Sequence, residues 1–137
     1  MRIILDTNSL ISATFWFWDS NKIIEKVENR ELVLVLSLDI IKEFSRVLNY
    51  EEIQEKIKDK NLEMKYSVEK IISLSEMIEP KERLNIIQED FSDNKILECA
   101  YEGKADYIIT KDNHLLKLKE FKNIKIVTPE EFLKLFK

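Results

Sequence analysis

Apolar runs alternate with amphipathic stretches along the whole chain. The first run, Ile3-Ile4-Leu5, has no helical period and stops at Asp6-Thr7-Asn8, which predicts a short buried strand. Leu32-Val33-Leu34-Val35-Leu36 is the clearest buried strand, and Ala105–Thr110 and Ile124–Val127 supply two more. Between the strands the period changes to that of a helix. Ile23, Ile24 and Val27 share one face behind the caps Asp19-Ser20-Asn21, in a helix running to about Asn29. Ile40, Ile41, Phe44, Val47 and Leu48 form the stripe of a second helix, opened by Ser37 and Asp39. Residues 51–78 read as two helices, the later one with Met64, Val68, Ile71 and Ile72 facing the core. A short strand is expected at Met77–Glu79, just before Pro80 breaks the chain. Ile96, Leu97, Ala100 and Tyr101 mark a helix after the acidic loop Gln88–Asp93, and Gly103 ends it at a position suited to a left-handed cap. Thr128-Pro129-Glu130-Glu131 starts a final helix, with Phe132, Leu133, Leu135 and Phe136 packing inward.

This alternation predicts an α/β fold: a three-layer α/β/α sandwich around a mainly parallel sheet of about five strands, joined by right-handed crossovers. At 137 residues with one Gly and two Pro, no linker is visible, and a single domain over 1–137 is expected. One cysteine, Cys99, excludes an internal disulfide and points to a reduced, cytoplasmic setting. No apolar run approaches membrane-spanning length, and no signal-peptide layout opens the chain. A net charge of −4 argues against bulk electrostatic binding of nucleic acid, though two bound dications would cancel it. Phe15-Trp16-Phe17-Trp18 cannot all face one way, so part of the run is core and the surplus offers a partner or dimer surface.

The chemistry lies in four acids at element ends. Parallel strands share a carboxyl edge, where ligands of open α/β sheets bind. Asp6 and Asp112 follow strands there, Asp93 opens a crossover helix on the same edge, and Glu43 lies inside another helix at the rim of its buried face. Each has a plainer reading. Asp6 with Asn8, Asp93 and Asp112 are all ordinary helix-start residues, Ser92 is an alternative cap, and a helical Glu is most often solvated. Asp93, however, points inward with no obvious local Lys or Arg, and a buried carboxylate needs an answering charge. A metal ion would supply it. Thr110 repeats the opening pattern of strand, hydroxyl residue and carboxylate. His114 is the one histidine, and a lone histidine is more often a surface residue than a ligand.

Five blocks, taken together, carry a resemblance: Ile4–Ala13, Leu34–Phe44, Asp90–Ala100, Ala105–Asp112 and Ile126–Phe132. In that order the chain resembles a PIN domain, closest to the branch of prokaryotic toxin–antitoxin ribonucleases. The resemblance implies a five-stranded parallel sheet between helices and metal-dependent hydrolysis of RNA phosphodiesters. It puts the acidic residues on Asp6, Glu43, Asp93 and Asp112, with Asn8 and Thr110 as polar neighbours that orient a water or a carboxylate. Asp6, Asp93 and Asp112 become the expected ligands of Mg2+ or Mn2+, the hard ions that oxygen donors suit. One ion would acidify a water, and a second, about 3.5–4 Å away, would stabilise the leaving oxygen. A homodimer and an antitoxin partner are implied as well. The chain departs from the pattern at Glu89, Phe91, Lys111 and His114, the last standing where an acid often follows the fourth carboxylate.

Two rivals belong to other classes. A PIN module that binds RNA or protein without cutting would not need all four acids. A phosphotransferase of the haloacid-dehalogenase kind needs a second acid two residues after Asp6, where Asn8 stands.

Overall fold

A computed structural model describes residues 1–15, 19–57, 64–87 and 91–136. The aromatics at 16–18 and the acidic loop residues at 88–90 lie outside these, as do the side chains of Phe15, Met64, Val68 and Phe91. The strands are β1 (Arg2–Leu5), β2 (Val33–Ser37), β3 (Ser75–Ile78), β4 (Tyr107–Ile109), β5 (Glu120–Phe121) and β6 (Ile124–Val127). The helices are α1 (Thr7–Phe15), α2 (Asp19–Glu28), α3 (Leu38–Leu48), α4 (Glu51–Ile57), α5 (Met64–Leu74), α6 (Phe91–Glu102), α7 (Asn113–Leu116) and α8 (Pro129–Leu135). The strands form one sheet in the order β3-β2-β1-β4-β6-β5, parallel throughout except for β5.

Burial along the central strands shows why the sheet is sandwiched. Successive strand residues point to opposite faces. Ile3, Ile4 and Leu5 of β1 and Leu34, Val35 and Leu36 of β2 are nevertheless all fully buried. Both faces are therefore covered, as a parallel sheet requires. Toward the edges the pattern thins, and Lys125 of β6 is exposed between buried Ile124 and Ile126. The expected α/β architecture holds, with one strand beyond the five anticipated. That strand, β5, turns back into β6 through Lys122 and Asn123, at φ of 49° and 70°. Two left-handed residues suit a two-residue hairpin, but lysine gives no hint of one.

The end of α6 also differs from expectation. No glycine has positive φ among the described residues, and the left-handed residue is Lys104, at φ 54°. The amides of Lys104 and Ala105 donate to the carbonyls of Tyr101 and Ala100, at 3.2 and 2.9 Å, closing a Schellman cap one residue later than expected. Gly103 is needed for space instead. A Cβ there would lie 2.9 Å from the Cys99 carbonyl oxygen, 3.1 Å from Ile78 and 3.3 Å from Val35. Four other expectations of burial fail: Leu135 of α8 is 64% exposed, Tyr101 and Val33 39% and Ile72 38%. Phe132 is buried and meets the Tyr107 ring edge-on, with centroids 5.3 Å apart. No helix among the described residues is long and apolar enough to cross a membrane.

A polar ladder on α6 fixes the segment 81–87. Asn94, Glu98 and Glu102 follow one another at intervals of four, so they share a helix face. The Asn94 Oδ1 accepts the amides of Ile86 and Ile87 at 3.0 and 2.9 Å. Glu98 accepts that of Leu84 at 2.9 Å, and Glu102 that of Lys81 at 3.3 Å. This explains why α6 buries Asn94 and Glu98 beside its apolar stripe.

Candidate functional site

The chain runs outward from β1 through β2 to β3, then returns to place β4 on the other side of β1. A reversal of this kind leaves a crevice at the carboxyl ends of the two central strands. Register decides what meets there. Leu5 pairs with Ile109, so the next residues, Asp6 and Thr110, stand side by side.

Asp6 does two jobs. It begins α1, its Oδ1 accepting the Ser9 amide at 3.0 Å, and its Oδ2 accepts the Thr110 hydroxyl at 2.6 Å. The Thr110 oxygen itself accepts the Asp112 amide at 2.9 Å, which leaves its proton to point at Asp6. Thr110 is wholly buried, and Asp6 is 7% exposed. Burial pushes the Asp6 carboxyl above its ordinary range; the bonds from Thr110 and Ser9 pull it back down, and the charge of Asp112 adds to the rise.

Asp112 is likewise both cap and wall. It caps α7, its Oδ1 accepting the His114 amide at 2.8 Å. That tight turn carries the imidazole back over the acids. His114 Nδ1 lies 3.7 Å from the Asp112 Oδ1 and 3.6 Å from the Oδ2 of Asp93, which is in the first turn of α6 and 5% exposed. Glu43, from the middle of α3, is half-buried and paired with Arg46 one turn on.

These side chains surround a pocket of about 100 Å³, whose walls include Asp6, Asn8, Glu43, Ser92, Asp93 and Asp112. All four acids predicted from the sequence, and Asn8, thus share one cavity, and Thr110 lies beneath it, bonded to Asp6. Pockets for organic ligands start at about 300 Å³, so the size suits an ion with its waters. A larger cavity of about 570 Å³ opens beside Ser37 and Ile78, at the ends of β2 and β3, and holds none of the four acids. Among the described residues, Arg46 pairs with Glu43, Lys95 lies 3.5 Å from Glu98 and 3.9 Å from Asp39, and Lys111 is 3.8 Å from Glu130.

The donors fit a divalent cation. One atom each from Asp93, Asp112 and His114 lie within 4.8 Å of one another. Asp6, expected as a third ligand, is outside this closest group, and both its oxygens already accept hydrogen bonds. His114, for which the sequence favoured a surface position over a ligand's, is half-buried and lies within this group. The available signal was its position two residues after Asp112, inside the turn that the cap closes.

No curated protein matches the chain. The family model of the PIN domain matches residues 2–114, a span that holds all four acids and the histidine. PIN domains are generally nucleases, and with this match over most of its length, the chain belongs to the PIN domain family.

Proposed function

We propose that this protein is a metal-dependent endoribonuclease that hydrolyses RNA phosphodiesters and acts as the toxin of a toxin–antitoxin pair. The observation that carries this reading is the convergence of Asp6, Glu43, Asp93 and Asp112 on one small pocket at the switch point of the sheet. Mg2+ or Mn2+, when bound there, supplies positive charge against the phosphate and makes a water more acidic. Asp93 and Asp112 would hold the ion. Asp6 would turn a free lone pair toward it, its orientation fixed by the bonds from Ser9 and Thr110. Glu43, also in the lining, would orient the water, and Asn8, exposed, would offer its amide to the phosphate.

Single-stranded RNA incubated with wild type and Asp6→Asn, with Mn2+, Mg2+ or excess EDTA, tests the reading. Expected is cleavage by wild type that EDTA abolishes, a loss of at least about 100-fold in the variant, and RNA binding that survives. Binding without cleavage by wild type would make the chain a recognition module. Cleavage that persists in EDTA would remove the metal from the mechanism. The toxin role, a homodimer and a protecting antitoxin belong to the same proposal. Growth arrest on expression, relieved by the product of an adjacent short reading frame, is the result expected.

A further inference from the structure

We infer that His114, beside the pocket, is a ligand through Nδ1 of the ion that Asp93 and Asp112 hold, and that it turns the site from Mg2+ toward divalent transition ions. The inference rests on the metal-dependent reading above and adds to it a nitrogen donor that the four acids do not supply. Its ground is a pair of distances. Nδ1 stands 3.6 Å from an Asp93 oxygen and 3.7 Å from an Asp112 oxygen. Both exceed the roughly 2.7–3.2 Å of a hydrogen bond to nitrogen, so the ring is not simply bonded to either acid. Two donors about 2.1 Å from one ion lie about 3.0 Å apart at an octahedral right angle and about 3.4 Å apart at a tetrahedral angle. The observed spacing is within a few tenths of an ångström of the tetrahedral figure, so the three side chains can share one ion with little movement.

The short helix α7 explains why the ring can serve. The His114 amide is tied to the Asp112 carboxylate, so backbone and ligand are fixed by one turn. The ring is half-buried, with 44% of the side chain exposed, which leaves an open side for water or substrate. Donor chemistry sets the preference. Mg2+ gives up water reluctantly and is held by carboxylates, whereas imidazole suits the transition ions.

The chain's single histidine makes the test specific. Protein labelled with ¹⁵N only in histidine is titrated with Mn2+ and examined by pulsed electron paramagnetic resonance. Expected is a directly coordinated ¹⁵N signal in wild type, absent in His114→Asp. In parallel calorimetric titrations with Zn2+ and Mg2+, His114→Asp should lower the ratio of Zn2+ to Mg2+ affinity at least about 10-fold, at least the effect of losing a ligand's supporting partner. Mn2+ bound without nitrogen coupling, or an unchanged ratio in the variant, would overturn the inference while leaving the nuclease reading intact. Failure of wild type to bind any of these ions would overturn both. The coupling is read on wild type, so the result does not depend on the variant folding.

Discussion

Thr110→Val tests how the fold holds a carboxylate in its interior. The substitution keeps the shape and removes one hydroxyl, which donates to Asp6 at 2.6 Å and accepts the Asp112 amide at 2.9 Å. A hydrogen bond to a charged group contributes about 1.5–3 kcal/mol, and a partly buried amide left without its acceptor costs about 1 kcal/mol. The added methyl regains at most about 0.8 kcal/mol. The loss wins, and the variant should be about 2–3 kcal/mol less stable at pH 7, or about 6–11 °C in Tm. The pH profile is more telling. Burial raises the folded pKa of Asp6, so stability falls as pH climbs from the unfolded value of 3.8 through the folded one. The Thr110 bond pulls that folded pKa down. Without it the falling window extends to higher pH, and the gap between the two proteins widens through it. Below the unfolded pKa, Asp6 is protonated in both states, and only neutral hydrogen bonds, about 1–2 kcal/mol, separate wild type from variant. Urea titrations in EDTA at half-unit steps from pH 3.5 to 8 measure this. A gap that stays flat with pH, or below about 0.5 kcal/mol, would refute the assigned role.

Three further outcomes follow from the same geometry. Gly103→Ala presses a methyl to 2.9 Å from a backbone carbonyl and should cost about 1–3 kcal/mol, whereas Lys104→Gly, at φ 54°, should gain up to about 1 kcal/mol; thermal melts of the pair separate packing from backbone strain. Burial pushes the Cys99 thiol up to about 12, so a thiol-specific reagent should leave the native protein unlabelled and react once urea unfolds it. Mn2+ at 100 times its dissociation constant should stabilise wild type by about 2.7 kcal/mol, reversibly with EDTA, and Asp93→Asn should lose most of that gain in calorimetric scans.

The register of apolar and polar residues made most of the elements legible in advance, because helix and strand periods are local. Val33–Ser37, Leu38–Leu48 and the capping box at Thr128 all lie within two residues of where the pattern puts them. The same locality made Asp6 and Asp112 visible as residues ending strands. It could not show β5, since the hairpin rests on left-handed lysine and asparagine. Nor could it show Gly103 acting through the space between α6, Val35 and Ile78, contacts that lie far apart in sequence.

What the chain alone determined is the set of chemical groups at the edge of the sheet: four carboxylates, an amide, a hydroxyl and one imidazole. What only the tertiary structure decided is which of them touch. Pairing of Leu5 with Ile109 sets Asp6 against Thr110, and the α7 turn brings His114 within 4 Å of Asp93. Distances between remote segments are set by strand register and helix packing, and a few ångströms of either decide whether an acid is a cap, a buried charge or a ligand.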